Sequence, residues 1–237
     1  MQKALVAAAA AAVLGVAGAA SAADLTGGGF KDAPFYAPVE NWAGFYFGGH
    51  VGGGWATLKV TDYDVGDNRF NNKPSGVFGG AQLGYNFQHG PFVYGLEVDL
   101  GGMDLGHTVA NPSVTTTYSK IESGFYGDVT GRLGYSFDRW LVYGKGGYAF
   151  YNGKIWVNDT AATAWNSANS LNGWTAGGGI EYQVSPAWSV KVEYQYFDFG
   201  TQRLTVDSTD RYDNALTVNT VKAGINYHLG AAYVPLK

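Results

Sequence analysis

The residues with the most chemistry to offer in this 237-residue chain are nine charged side chains: Glu97, Asp99, Asp128, Arg132, Lys145, Glu181, Lys191, Glu193 and Lys222. Each lies inside a stretch of apolar and small residues. Five acids among four bases could pass ions, shuttle protons or lock one another in salt bridges. The near balance favours mutual pairing, because an unpaired buried charge is far costlier than a paired one. Nucleophilic catalysis has thinner support: His107 with Thr108, and serines such as Ser113 and Ser119, supply the residue types. No spacing specifies a triad, which needs a base within reach of its nucleophile. His50 and His228 read as packing or hydrogen-bonding residues, and His89 lies in a turn. With four scattered His and no Cys, no metal, cofactor or catalytic residue is assigned. The missing Cys also excludes disulfides and a thioether lipid anchor. A balance of 15 Lys+Arg against 19 Asp+Glu lacks the clustered positive field of a nucleic-acid binder.

The elements that must hold these residues are strands. From Phe45 onward the chain alternates with period 2 and shows no sustained 3.6-residue stripe. Eight such runs begin near Phe45, Gly76, Phe92, Gly124, Leu141, Gly173, Trp188 and Thr217, with start-to-start gaps of 31, 16, 32, 17, 32, 15 and 29 residues. Short and long connections therefore alternate. A propeller blade of the same length would carry four strands, not two, and two blades cannot close. An up-and-down barrel closes with eight.

All nine charges fall on the face opposite the apolar one. Phe92, Tyr94, Leu96, Val98 and Leu100, for example, oppose Val93, Gly95, Glu97, Asp99 and Gly101. The chain also carries 36 glycines, about twice the usual share of ~7%, and many of them, such as Gly48, Gly52, Gly84, Gly101 and Gly147, share the parity of the charges. An eight-stranded barrel has an interior just filled by side chains, so the volume argument puts the glycines and charges inside and the large apolar residues outside. That arrangement is stable in lipid, and it matches the dyad pattern, even strand number and unequal connections of a transmembrane barrel. The mean hydropathy of −0.11 is what alternate-residue exposure to lipid gives.

Ahead of the strands, Lys3, the apolar stretch from Ala4 to Ala20 and Ala20-Ser21-Ala22 have the form of a signal peptide, with 1–22 removed. A permanent helical span is the weaker alternative, because the stretch is mostly Ala interrupted by Gly15 and Gly18. Residues 23–41 read as a flexible periplasmic lead-in, 42–229 as the barrel and 230–237 as a C-terminal tail.

Four strands end alike, in Ala81-x-Leu83-x-Tyr85-x-Phe87, Gly131-x-Leu133-x-Tyr135-x-Phe137, Gly178-x-Ile180-x-Tyr182-x-Val184 and Ala223-x-Ile225-x-Tyr227-x-Leu229. Each precedes a short turn or the end of the last strand. Tyr85, Tyr135, Tyr182 and Tyr227 would then form an outward aromatic belt at the periplasmic interface, where amphipathic rings settle. The opening Asn41-Trp42-Ala43-Gly44-Phe45-Tyr46-x-Gly48-Gly49, after an Ala-rich leader and a Pro-containing lead-in, resembles the small porin-family outer-membrane β-barrels of alphaproteobacteria, the outer-membrane immunogenic proteins. The resemblance covers roughly 40–229. It implies an outer-membrane location, abundance in the envelope and exposure to a host or environment. Lys222-x-Gly224-x-x-Tyr227-x-Leu229 also resembles the last-strand signal read by the barrel-assembly machinery, although that pattern ends on an aromatic where this chain has Leu229.

The expectation is an all-β, eight-stranded antiparallel up-and-down transmembrane β-barrel, preceded by a cleaved signal peptide and set in the bacterial outer membrane. Its expected role is structural or surface-interacting, with a lumen plugged by the nine charges. A narrow diffusion pore is the main alternative and an outer-rim lipid-modifying enzyme the minor one. Expected partners are outer-membrane lipid and lipopolysaccharide, the barrel-assembly machinery, and external surface partners met by the long connections, about 59–75, 105–122, 153–172 and 200–216. Those connections hold Lys59, Arg69, Lys73, Lys120, Lys154, Arg203 and Arg211, which either neutralise lipopolysaccharide phosphates or belong to ordinary solvated loops with their interspersed acids.

Overall fold

Strands rich in Tyr, Phe, Val and Gly, joined by turns that require special backbone, build this protein. The computed structural model describes residues 41–62, 68–104, 108–110, 117–121, 123–153, 155–159, 170–205 and 211–229. The expected signal peptide, nearly all of the lead-in, the tail at 230–237, and His107 and Ser113 lie outside these residues.

Among the described residues twelve strands follow in chain order: β1 (Gly44–Asp62), β2 (Asn68–Asn72), β3 (Ser75–His89), β4 (Phe92–Asp104), β5 (Thr108–Ala110), β6 (Thr117–Ile121), β7 (Gly124–Phe137), β8 (Trp140–Asn152), β9 (Ile155–Asp159), β10 (Leu171–Ser185), β11 (Trp188–Thr205) and β12 (Arg211–His228). Eight of them, β1, β3, β4, β7, β8, β10, β11 and β12, pair antiparallel with their neighbours, and β12 returns to β1 to close the barrel. That closing seam runs from Tyr46 opposite His228 to Asp62 opposite Tyr212. The protein is thus an all-β, eight-stranded antiparallel closed barrel.

The short connections hold backbone that the turn dictates. Gly90 between β3 and β4 has φ +58° and Asp138 between β7 and β8 has φ +48°, both in the left-handed region that Gly adopts freely and Asp tolerates. At the other end, segments expected as loops are partly strand. β1 runs on to Asp62, β12 begins at Arg211 rather than near Thr217, β2 pairs back onto β1, and β5, β6 and β9 form a three-stranded sheet. The cause is physical: beyond the bilayer an outward residue need not be apolar, so the dyad pattern fades while backbone pairing continues.

Outward positions carry the large apolar residues. Leu96, Leu133, Val51 and Val77 are each more than 60% exposed, a surface that water would not tolerate at this extent. The lumen departs from the volume argument in one respect, since it also holds aromatic and aliphatic side chains. Ala56, Leu58, Phe78, Met103, Tyr126, Ala149, Tyr151, Leu171, Phe197, Phe199, Leu216 and Val218 form a buried apolar layer towards the long-connection end, and Trp42, Val93, Leu141 and Tyr143 a smaller one towards the short turns. Glycine makes the room. A Cβ added at Gly52 would stand 2.7 Å from the Phe78 ring, and one at Gly84 would collide with the ring of Tyr46. Phe78, Tyr46 and Tyr126 lie over Gly52, Gly84 and Gly101 of the adjoining strands, so glycine excess and these internal aromatics are two halves of one packing device.

Candidate functional site: the luminal ion-pair network

Between the two apolar layers the barrel wall turns all nine charged residues into its interior. They come from six staves: Glu97 and Asp99 from β4, Asp128 and Arg132 from β7, Lys145 from β8, Glu181 from β10, Lys191 and Glu193 from β11, and Lys222 from β12. None is more than 6% exposed. Strand alternation keeps residues two apart on one face, and antiparallel registry brings Glu181 opposite Lys191, and Glu193 opposite Lys222.

Lys145 is the hub. Its Nζ lies 2.7 Å from Glu97 Oε1, 2.7 Å from Asp99 Oδ2, 3.2 Å from Glu193 Oε1 and 3.9 Å from Asp128 Oδ1. Lys222 Nζ adds contacts to Asp99 Oδ2 at 3.1 Å and Glu193 Oε1 at 2.9 Å, while Lys191 Nζ reaches Glu97 Oε2 at 3.0 Å. Arg132 extends the cluster towards the short turns. Its Nη2 donates to Glu181 Oε2 at 2.9 Å and its Nη1 to the Tyr46 hydroxyl at 2.8 Å. Tyr46 in turn donates to Glu97 Oε2 at 2.8 Å, and the guanidinium stands 4.2 Å from the Tyr143 ring centroid. Charge-assisted bonds of this kind are the strong ones, and a site away from water screens them little.

Neutral side chains complete the network, and several carry more of it than their sequence setting suggests. Tyr143 donates to Glu193 Oε2 at 2.7 Å, Ser189 and Asn226 donate to Glu181 Oε1, and Gln195 donates to Asp128 Oδ2 at 3.1 Å. His50 hydrogen-bonds Gln82 through Nδ1 and the Tyr126 hydroxyl through Nε2. Tyr46 sits in the opening motif beside Phe45, and only its parity, opposite an outward Phe, marks it as luminal.

Two arrangements invite other chemistry. Carboxylate oxygens of Glu97, Asp99 and Glu193 lie within 4.8 Å of one another, yet ammonium groups of Lys145, Lys191 and Lys222 already stand among them, where a cation would go. Ser189 Oγ is 2.8 Å from His228 Nε2, with Glu181 close by. A Ser-His-acid triad needs the acid on the other ring nitrogen, orienting the imidazole. Here Glu181 lies 3.7 Å from the same Nε2 and accepts directly from the serine, so the set is a hydrogen-bond cluster. Thr108 and Ser119 fall on β5 and β6, where Val109 rather than Thr108 stands opposite Ser119. Tyr85, Tyr135, Tyr182 and Tyr227 face outward near the short turns, with Phe45, Phe87, Trp140 and Trp188 packed against or near them.

A closed barrel with an apolar exterior and a charged, filled interior defines a transmembrane β-barrel. The chain belongs to the outer membrane protein beta-barrel domain family, whose model matches residues 8–228. It is 33% identical over 210 residues to a 31 kDa outer-membrane immunogenic protein of Brucella melitensis, covering 82% of this chain and 88% of that one. It is also 33% identical over 188 residues to a 22 kDa outer membrane protein of Rhizobium leguminosarum, covering 79% and 78%, and 31% identical over 199 residues to a 25 kDa outer-membrane immunogenic protein of Brucella abortus, covering 82% and 84%. The protein is a bacterial outer-membrane β-barrel, and relatives of this kind are named for that location rather than for a reaction.

Proposed function

We propose that the barrel is a sealed, non-enzymatic structural and surface-presenting component of the outer membrane. The observation that carries this reading is the stack inside the lumen: an apolar layer, the ion-pair network and a second apolar layer, all with exposure near zero. An ion entering such a lumen would have to leave its hydration shell for groups already paired with one another, and a pathway needs binding that is weak enough to release. Eight strands leave an interior filled by side chains, whereas open channels belong to larger barrels.

The same reading assigns the rim and the last strand. Tyr85, Tyr135, Tyr182 and Tyr227 serve as the periplasmic interface belt, because outer-membrane barrels keep their short turns on that side. Lys222, Gly224, Tyr227 and Leu229 serve as the signal for the barrel-assembly machinery. Supporting this assignment, β12 supplies the closing seam and carries Lys222 and Gly224 on the luminal face and Tyr227 outside, with Leu229 exposed just past its end.

Liposome swelling tests the proposal. Vesicles holding the purified barrel should not swell in isotonic solutions of small sugars or amino acids, whereas swelling at the rate of a known porin would replace the sealed barrel with a diffusion pore.

A further inference from the structure

The network sets five acids against four bases, and the missing cation is missed at one place. Glu97 and Asp99 each lie 2.7 Å from Lys145 Nζ, Glu181 lies 2.9 Å from Arg132 Nη2, and Glu193 lies 2.9 Å from Lys222 Nζ. Asp128 has no such partner among the described residues. The Lys145 ammonium stands 3.9 Å from its Oδ1, and its Oδ2 accepts from the neutral amide of Gln195 at 3.1 Å.

Register compounds the shortage. β4 and β7 set Asp99 directly opposite Asp128, and like charges facing each other across a ladder destabilise it. Both side chains are buried, and Oδ1 of each lacks a hydrogen-bond partner among the described residues. An orphaned buried acceptor is costly. Two of them on residues that face each other become complementary with one proton, which turns one oxygen into a donor. The groups around Asp128 offer no spare cation. Asp99 and Glu97 come from β4, Lys145 from β8, Lys191 and Glu193 from β11 and Lys222 from β12, with Tyr126 on its own strand, and the three lysines are already shared among Glu97, Asp99 and Glu193. From β1, His50 donates through Nδ1 to Gln82 Oε1, because the Gln82 amide nitrogen is turned to Asn226. Its Nε2 is left to accept from the Tyr126 hydroxyl, so one ring proton serves both bonds. His228 lies at the Glu181 end of the network, beside Ser189.

We propose that Asp99 and Asp128 form a buried proton-binding site, in which one proton, carried on Asp128 Oδ1 and shared with Asp99 Oδ1, balances the ionic core. The site rests on the dry lumen of the sealed-barrel reading, but it is read by protonation rather than by current, so the two can fail separately. A folded barrel that holds one proton more than the unfolded chain gains stability as pH falls and loses it as alkali removes that proton. The core is therefore firmest in acidified surroundings.

Infrared spectra of the full barrel in lipid vesicles at neutral pH test this, through the carbonyl stretch of a neutral carboxylic acid, which an ionised carboxylate lacks. Wild type should show that band, Asp128→Asn should lose it, and Glu181→Gln should keep it. Urea unfolding gives a second readout. The wild-type equilibrium should shift towards the folded barrel as pH falls from about 9 to about 7, by up to about tenfold per pH unit for one proton. Asp128→Asn should flatten that slope without lowering the midpoint, whereas Glu181→Gln, which strips Arg132 of its partner, should lower the midpoint throughout. A wild-type spectrum without the band, a band that survives Asp128→Asn, or a midpoint that does not rise as pH falls would each overturn the proposal. The first of these is what a balancing proton on His50 or His228 would give. Should Asp128→Asn not fold, the wild-type band and slope decide.

Discussion

Lys145 neutralises more of the lumen than any other residue, touching carboxylates from β4, β7 and β11. Lys145→Met keeps the length of the side chain and removes its charge, which leaves Glu97, Asp99 and Glu193 with too few cations. Breaking a buried ion pair from one side costs about 3–5 kcal/mol. The urea midpoint of the variant in lipid vesicles, followed by tryptophan fluorescence, should therefore fall well below wild type; an unchanged midpoint would mean that the network contributes little to stability. Glycine gives a second contrast at this scale. A Cβ at Gly147 would overlap the carbonyl oxygen of Val129, whereas one at Gly131 would stand 4.0 Å from the carbonyl oxygen of Gly146. Gly147→Ala should destabilise the barrel in the same assay and Gly131→Ala should leave it nearly unchanged or slightly stabilised, since losing glycine also reduces the freedom of the unfolded chain. Equal effects would contradict the close-packed seam. Parity alone put the nine charges on one face in the sequence. It could not tell which acid meets which base, because that depends on registry between strands far apart in the chain, such as Lys191 against Glu97.

The strands themselves were legible for a simple reason. Lipid outside and a narrow lumen inside impose alternation wherever a strand crosses the bilayer, so the expected starts at Phe92, Gly124 and Trp188 coincide with those of β4, β7 and β11. The first six residues of β12 were not legible, because Arg211 to Leu216 lie where outward positions are solvated. Neither were the two apolar layers inside, since Tyr126 or Phe78 looks like any other aromatic until the glycine across the ladder, Gly101 or Gly52, is known. The turns make a prediction of their own. Asp138 holds φ +48° between β7 and β8, a conformation that costs an ordinary L-residue about 1–2 kcal/mol. Asp138→Gly should be tolerated or mildly stabilising and Asp138→Val should lower the urea midpoint; the reverse order would mean that this turn does not constrain the hairpin.

At the scale of the whole molecule, orientation and closure are separate claims. In the proposed orientation, with the short turns on the periplasmic side, Arg139 lies in the periplasm and Asn68 outside the cell. In intact cells, a cysteine introduced by Asn68→Cys should react with a membrane-impermeant maleimide, and one introduced by Arg139→Cys should react only after the outer membrane is opened. The opposite pattern would invert the barrel. The proposed closure rests on the layered lumen, in which a hydrogen-bonded ionic core is capped by apolar side chains towards both faces. The most direct measurement is single-channel recording from purified barrel in a planar lipid bilayer. A sealed lumen should leave the membrane silent at moderate voltage and salt, with current appearing only when variants such as Lys145→Met loosen the core. Steady ohmic steps from the wild-type protein, altered in size by Arg132→Gln or Glu97→Gln, would contradict it.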